Sequence, residues 1–225
     1  MGTSDRFSKP QQPAASDGSS RRTSWIPQWL IDLLPTAKPV PDHVVELYER
    51  LLAGRIVVIG AEIDDRMAEA TIAQLQFLEA LEPDKELNLY LNSPGGSVTA
   101  SFAICEAIER LQPALSTVCI GQACGTALLL LTSGTPKKRF ALPDARLQFV
   151  PTEGGRLSVF SDASAGREAD GSLAELRATL FRSFARHSKL SAARVESLCA
   201  YRERLSPQVA IEYGLIDGVF QRPRR

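Results

Sequence analysis

Histidine is the scarcest chemically useful residue in this chain. Its 225 residues contain only two, His43 and His187, so a Ser-His-Asp triad or a histidine-rich metal site has very little to draw on. Cysteines are also few, and they show no CxxC spacing and lie in apolar patterns, which favours buried reduced thiols. The four cysteines are Cys105, Cys119, Cys124 and Cys199. We therefore expect no metal and no cofactor.

Neither an excess of one charge nor a long apolar run is present. The 26 basic and 26 acidic residues cancel, and no basic run is interleaved with aromatic residues, so nucleic-acid binding is not expected. The longest apolar run, around residues 127–131, is far shorter than the roughly 18 residues that a membrane span needs. The N-terminus has no charged region followed by an apolar stretch, as a secretory signal would. We expect no membrane contact and a cytoplasmic protein.

The composition divides the chain into four parts. Residues 1–24 are rich in Ser, Pro, Gln and Gly, which predicts a disordered tail. Residues 25–44 form an apolar segment and linker that carries both tryptophans; it either packs against the chain's own domain or presents a partner surface. Residues 45–221 form one domain, since 44% hydrophobic residues suffice for a sizeable core. Residues 222–225 are a short C-terminal tail.

Strand and helix patterns alternate along the domain. This alternation predicts an α/β fold of right-handed βαβ units on a mostly parallel sheet. The first half is predicted as helix 45–52, strand 56–60, helix 64–82, strand 87–91, helix 97–111, strand 115–120 and helix 123–133. The second half is predicted as strands 139–142 and 146–150, a loop over 154–172, helices 173–186, 191–200 and 208–213, and strand 215–220.

Two glycine-containing turns stand out in this pattern. Residues 93–97 read Ser-Pro-Gly-Gly-Ser, and residues 121–127 read Gly-Gln-Ala-Cys-Gly-Thr-Ala. We expect each to connect a strand to a helix, with the second turn at Gly121 and backbone N–H groups facing outward. Two such turns side by side can build an oxyanion hole, with a nucleophile at the second helix start. Gly125 occupies that position, so the pattern indicates a hydrolase scaffold without its nucleophile.

Five segments of the chain closely resemble the ClpP serine peptidases. They occur in the family's order over about residues 40–220 and are residues 48–52, 91–100, 120–123, 138–143 and 210–217. The resemblance implies the ClpP/crotonase-like fold of repeated βαβ units. It also implies a protruding handle helix, here at about residues 173–187.

The family's catalytic residues do not carry over to this chain. Its Ser, His and Asp positions fall on Gly125, Val150 and Arg202. Glycine cannot attack a carbonyl, valine cannot accept a proton, and arginine cannot orient an imidazolium ion. His43 lies in the linker, and His187 lies where the family makes ring contacts. The resemblance therefore implies a ClpR-type subunit without catalytic residues.

Two other functions remain open from the sequence. An active serine peptidase-like enzyme could use a displaced nucleophile, Cys124 or Thr126, although no general base accompanies either; a core thiol and a first-turn hydroxyl are the alternatives. A crotonase-like acyl-CoA enzyme would share the paired turns but would need a CoA cleft and acid/base carboxylates, which are not identifiable. The backbone amides of Gly96 and Thr126 match the family's oxyanion donors, so a hole can persist without a nucleophile.

The resemblance also implies partners. Inactive ClpR-type subunits share a tetradecameric barrel with active ClpP subunits, and Clp-type AAA+ unfoldases dock on the barrel in aromatic pockets. The pocket positions in this chain are Asn88, Tyr90, Arg110, Phe140 and Phe220. Three of them are aromatic, but Asn88 and Arg110 stand where aromatics are common, and a charged head disfavours an apolar loop. We therefore expect weak unfoldase docking. The segment 154–172, at the entry to the handle helix, is longer than the family pattern. This departure counts against the family's usual packing of one ring on the other.

Overall fold

The computed structural model of the protein describes residues 26–33, 41–151 and 167–220. The tails predicted for residues 1–24 and 222–225 lie outside the described residues. Within the described part, no helix is both long enough and apolar enough to cross a membrane.

Helices and strands alternate through the first two thirds of the described chain, as the sequence predicts. The helices are α1 (Gln28–Leu33), α2 (Asp42–Ala53), α3 (Asp65–Leu81), α4 (Val98–Glu109), α5 (Thr126–Thr132), α6 (Arg167–His187), α7 (Ala192–Ala200) and α8 (Pro207–Glu212). The strands are β1 (Ile56–Ile59), β2 (Leu87–Ser93), β3 (Leu115–Cys124), β4 (Arg139–Ala141), β5 (Arg146–Gln148), β6 (Arg204–Leu205) and β7 (Gly218–Val219).

The strands form one sheet in the order β1-β2-β3-β4-β7, with every neighbouring pair parallel. Strand β5 pairs in parallel with the end of β3, and β6 pairs antiparallel with β5. Because β1 to β4 are adjacent in chain order, right-handed crossovers place α3, α4 and α5 on the same face of the sheet. The predicted α/β fold of repeated βαβ units is confirmed.

Burial alternates along β2. Leu87, Leu89 and Leu91 are fully buried, whereas Asn88 and Tyr90 between them are only half-buried. Successive side chains of a strand point to opposite faces, so the leucines lie under the helices and the other face of the sheet is left partly open.

The apolar segment before the domain packs against it. In α1, Leu30 is fully buried, and Ile26 just before the helix is 2% exposed. Trp29 makes an edge-on contact with Phe77 of α3, with the ring centroids 6.3 Å apart. Residues 26–33 therefore pack against the chain's own domain.

Strand β3 corrects the predicted turn at Gly121. The strand continues through this glycine to Cys124, because residues 122–124 pair with β5. A Cβ at Gly121 would lie 2.4 Å from Asn92 Oδ1, so the glycine allows close packing between β2 and β3 rather than a turn. Helix α5 accordingly begins at Thr126 and not at residue 123.

Two other predicted bounds also change. The final strand, predicted over 215–220, is reduced to Gly218–Val219, because the amides of Leu215 and Ile216 bond to the carbonyl of Ala210 and close α8 instead. The handle helix begins at Arg167, so residues 167–172 are helical rather than part of the predicted loop. Once started, a helix accommodates the single glycine of this stretch at modest cost. Residues 152–166 lie outside the described part.

A partly buried ion pair connects four elements near the C-terminus of α6. Arg139 Nε and Nη2 bond to Asp217 Oδ2 and Oδ1 at 2.8 and 2.7 Å. Arg139 Nη1 also donates to the carbonyls of His187 at 2.6 Å and Thr132 at 3.3 Å. The guanidinium therefore joins β4, α5, α6 and the segment before β7.

A second arginine orders the turn before β2. The Arg55 guanidinium donates to the carbonyls of Leu78, Glu82, Lys85 and Glu86 at 2.8–3.1 Å. The last carbonyls of a helix lack partners within the helix, so Arg55 caps the end of α3 and fixes the chain that enters β2.

Candidate functional site

The two glycine-containing turns meet at the carboxyl ends of β2 and β3. The first turn is held by Ile63, whose amide donates to the carbonyl of Gly95 at 3.0 Å and whose carbonyl accepts from Ser97 at 2.7 Å. A Cβ at Gly96 would lie 2.1 Å from the Ile63 oxygen, and one at Gly95 would lie 2.6 Å from the Cys124 oxygen. Only glycine fits at both positions. The backbone of the first turn therefore lies in direct contact with the backbone at Ile63 and at Cys124.

Gly125 forms a sharp turn between β3 and α5. Its φ of 54° and ψ of −119° belong to a region that residues with a side chain rarely adopt. Its amide donates to the carbonyl of Gln148 at 2.9 Å, which fixes the turn against β5. A strained strand-to-helix turn is also how a nucleophile elbow exposes its side chain. The backbone therefore has the form of an elbow, and the residue on it has no nucleophile.

Val150 lies opposite Gly125. A Cβ built at position 125 would be 3.4 Å from Val150 Cβ and 3.6 Å from its Cγ2. The positions matched to the nucleophile and the base are thus neighbours in space. Hydrocarbon occupies the place where an imidazole could accept the hydroxyl proton.

Arg202 contributes its backbone rather than its side chain. It has a φ of 53°, and its carbonyl accepts a hydrogen bond from Gln148 Nε2 at 3.1 Å. The Arg202 side chain is exposed. Gln148 in turn accepts from Arg146 Nη2 at 2.9 Å. The amide of Gln148 therefore holds the third matched position against β5.

Gln148 was missed from the sequence. The available signal was its position two residues before Val150, which favours the same side of an extended chain. Nothing in its residue type indicated that it would bond a backbone carbonyl distant in sequence.

The two expected oxyanion donors come together, but one already has a partner. The amide of Gly96 donates to Thr126 Oγ1 at 3.1 Å, and Thr126 is 5% exposed. Of the two interpretations of Thr126, a displaced nucleophile or a first-turn hydroxyl, the contact fits the second. This hydroxyl accepts a hydrogen bond that an oxyanion would otherwise accept.

Cys124 is a core thiol. It is 6% exposed, and its Sγ is 3.9 Å from Gln122 Oε1. Burial raises the pKa of this thiol, against the opposing charges of Arg146 and Arg204. A higher pKa means less thiolate at neutral pH, which makes the thiol a poorer nucleophile.

These groups line an open cleft of about 260 Å³. Its lining includes Gly96, Cys124, Gly125, Thr126, Arg146 and Val150. One carboxylate, Glu62, lies at the cleft, so the paired carboxylates of an acid/base mechanism are not found among the described residues that line it.

Both histidines lie away from the cleft. His43, expected in the linker, is instead in the first turn of α2, where it is exposed. His187 ends α6, with its Nε2 3.0 Å from Glu109 Oε1, and it lines a separate, larger cavity of about 460 Å³ beside Arg139 and Lys189. In the described ranges, no imidazole lines the cleft. Nor do three His, Cys, Asp or Glu side chains of these ranges form a group that could hold a metal ion.

The aromatic residues matched to unfoldase docking lie on the open face of the sheet. Tyr90 of β2 pairs in register with Val118 of β3, and Val118 pairs with Phe140 of β4. The ring of Phe140 makes an edge-on contact with Phe220, with centroids 6.1 Å apart. Phe220 is 49% exposed. Asn88 lies two residues before Tyr90 and therefore on the same face.

Arg110 is not brought together with these aromatics within one chain. It follows the last turn of α4, where its Nη1 bonds the Glu106 carbonyl at 3.0 Å and pairs with Glu106 Oε2 at 2.6 Å. Together with Ile72 and Glu79 it lines a groove between α3 and α4, which belongs to the helix-covered side of the sheet. Arg110 lies at the end of a helix and Tyr90 lies in a strand. Their distance along the sequence therefore did not indicate how far apart they are in space.

Comparison with known families covers the whole site. A sequence model of the family described as Clp protease matches residues 40–223. The match includes all seven described strands and every residue of the cleft, and only α1 of the described elements lies before it. The chain therefore belongs to the Clp protease family and has the serine peptidase fold of that family.

Proposed function

We propose that this protein is a non-catalytic, ClpR-type subunit of an ATP-dependent Clp protease complex, which assembles with active ClpP subunits and modulates the barrel. The observation that carries this proposal is Gly125, which stands in an elbow conformation with Val150 3.4 Å from its missing Cβ. An elbow backbone has no evident use without a side chain to expose, so it fits a peptidase scaffold that has lost its nucleophile.

Loss of these groups removes the acyl-transfer chemistry. A serine nucleophile needs a base within hydrogen-bond reach, and loss of either group from a triad typically lowers kcat roughly a millionfold. Here a glycine and a valine occupy the two facing positions, and the third has an exposed arginine. What remains at the cleft is an arrangement of the backbone that could position a substrate but has no group to attack its carbonyl.

The two enzymatic alternatives have less support. A displaced nucleophile at Cys124 would be a buried thiol with a raised pKa, and one at Thr126 would be a hydroxyl already bonded by Gly96. Neither has an imidazole beside it. A crotonase-like enzyme would need a second carboxylate near Glu62, and the described lining of the cleft contributes none.

Family membership implies assembly into Clp protease oligomers. The way in which the handle helix α6 is anchored to its own domain supports this role in part. Phe181 and Phe184 are 6% and 1% exposed, and Phe184 contacts Phe149 with ring centroids 5.3 Å apart. The C-terminal half of the helix is therefore fixed to its own domain, which suits an element that packs one ring against another.

Unfoldase docking through this subunit is proposed to be weak. The open face offers Tyr90, Phe140 and Phe220, but Asn88 lies among them and offers an amide where an apolar loop would be buried. An unpaired amide in an apolar contact costs free energy. Active partner subunits would then make most of the contact with the unfoldase.

Co-expression with an active ClpP subunit tests the proposal. Native mass spectrometry is expected to show mixed complexes, and peptide hydrolysis is expected to scale with the number of active subunits in them. A chain that forms no mixed complex with any active ClpP subunit of its own source would contradict the assembly role.

Unfoldase binding tests the weak docking. A ring of this subunit alone that binds the unfoldase as tightly as an active ring would contradict it, and Asn88→Tyr is expected to strengthen docking.

A further inference from the structure

We propose that the Thr126 hydroxyl occupies one donor of the oxyanion hole from within the chain and slows acyl transfer independently of the missing triad. This inference rests on the proposed function, since it concerns the same cleft. It goes further because it assigns a residue outside the three triad positions to the inactive state, and it predicts that restoring those three residues is not sufficient for full activity.

The hydrogen bond between the two turns carries the proposal. The amide of Gly96 donates to Thr126 Oγ1 at 3.1 Å, and the acceptor belongs to the residue whose own amide is the second expected donor. A Cβ at Gly95 would lie 3.3 Å from Thr126 N and 3.4 Å from Thr126 Oγ1. Both the amide and the hydroxyl of Thr126 therefore lie against the glycine turn.

Burial makes this contact costly to break. Thr126 is 5% exposed, so a hydroxyl that left the Gly96 amide would have to find another partner or lose a hydrogen bond at a partly buried position. A substrate oxygen could reach the amide only after the hydroxyl had turned away. The hydroxyl thus competes with an oxyanion for the donor that would stabilise it.

The expected size of the effect follows from the role of the donor. Removal of one oxyanion-hole donor typically lowers kcat by about 10²–10³. If the Thr126 hydroxyl occupies the Gly96 amide, removing the hydroxyl should restore a factor of this order in a chain that has its triad. The effect should fall on kcat rather than KM, because an oxyanion forms only as the reaction proceeds.

Hydrogen–deuterium exchange tests the contact directly in the full-length chain. With fragmentation that resolves single amides, Gly96 is expected to exchange at least about tenfold faster in Thr126→Val, which keeps the side-chain shape but lacks the hydroxyl. Thr126→Ser keeps the hydroxyl and is expected to preserve protection. Gly95 is the internal control, because its amide donates to Ser93 Oγ at 3.1 Å. Unchanged exchange at Gly96, or an equal rise at Gly95 and Gly96, would overturn the proposal.

Activity gives the second test. The triple variant Gly125→Ser/Val150→His/Arg202→Asp is compared with the same variant carrying Thr126→Val or Thr126→Ser. Hydrolysis of a fluorogenic peptide is expected to have a kcat about 10²-fold higher with Thr126→Val than with Thr126 or Thr126→Ser, at similar KM. Equal kcat values across the three chains, including no hydrolysis in any, would overturn the proposal. Hydrolysis by the unaltered chain would instead refute the proposed function, so the two failures are distinguishable.

Discussion

Val150 faces Gly125 across the cleft, with its Cβ 3.4 Å from the position that a Cβ on residue 125 would occupy. This distance is an ordinary van der Waals contact, so the two positions matched to the nucleophile and the base lie directly against each other. Neither position carries a group that could attack a carbonyl or accept a proton.

The elbow at Gly125 should resist any side chain. Gly125→Ala is expected to lower the free energy of unfolding by about 1–3 kcal/mol, because a φ of 54° with a ψ of −119° is a backbone region that costs residues with a side chain about that much. Chemical denaturation in urea measures the change. Gly60→Ala is the matched control, since a Cβ there would have Val58 Cγ1 as its nearest neighbour, at 3.9 Å. Equal effects of the two substitutions would contradict strain at Gly125.

The ion pair of Arg139 and Asp217 should be a major source of stability. Asp217→Asn leaves the Arg139 cation, 10% exposed, without the partly buried counter-charge of a carboxylate that is 21% exposed, which is expected to cost about 2–3 kcal/mol. Urea denaturation at pH 7 measures the loss. Glu46→Gln, which breaks an exposed pair with Arg50, is the control and is expected to cost less than about 0.5 kcal/mol.

The same pair predicts a pH dependence. Burial raises the pKa of Asp217, but the hydrogen bonds and charge of Arg139 outweigh burial and hold the pKa below its ordinary value. A carboxyl whose folded pKa is lowered stabilises the fold above its unfolded pKa of about 3.9, and this contribution is lost as pH falls toward the folded pKa. The stability difference between the native sequence and Asp217→Asn should therefore be constant from pH 7 to 5 and shrink below about pH 4. A difference that grew on acidification would contradict this sign.

Arg55 should stabilise the entry to β2 beyond what its charge explains. Arg55→Ala leaves four carbonyls without their shared donor and is expected to cost about 2–3 kcal/mol. Arg50→Ala, on the exposed side of α2, is expected to cost less than about 0.5 kcal/mol. Similar unfolding free energies for the two variants would show that the carbonyl contacts contribute little.

The cysteines should be unreactive in the native protein. Burial raises the pKa values of Cys105, Cys119 and Cys199 to about 12 and also raises that of Cys124. Iodoacetamide at pH 8 is therefore expected to label almost no thiol in the folded chain and all four after denaturation, because the thiolate is the reactive form. Rapid labelling of the native chain that disappears in Cys124→Ala would favour a displaced thiol nucleophile.

Much of the fold could be predicted because apolar periodicity marks buried faces. The alternating burial of Leu87, Leu89 and Leu91 against Asn88 and Tyr90 is such a pattern. The end of β3 could not be predicted, since Gly121 indicates a turn by residue type and remains in the strand only because it packs against Asn92. Contacts between distant segments decide such positions, and a local pattern does not contain them.

The site divides in the same way. Gly125 and Val150 were located through the resemblance, and their proximity in space required the fold. The bond between Gln148 and the Arg202 carbonyl and the bond between Gly96 and Thr126 join segments that are 54 and 30 residues apart in the chain. Neither follows from residue type or spacing, because each depends on how β5 and the two turns are placed.

Peptide hydrolysis by the pure, assembled chain tests the central claim most directly. A fluorogenic peptide incubated with this subunit alone is expected to be cleaved no faster than in buffer, and addition of active ClpP subunits is expected to produce hydrolysis only in mixed complexes. The absence of an imidazole from the described lining of the cleft is the reason. Hydrolysis by the pure chain that is abolished by Cys124→Ala or Thr126→Val would contradict the account.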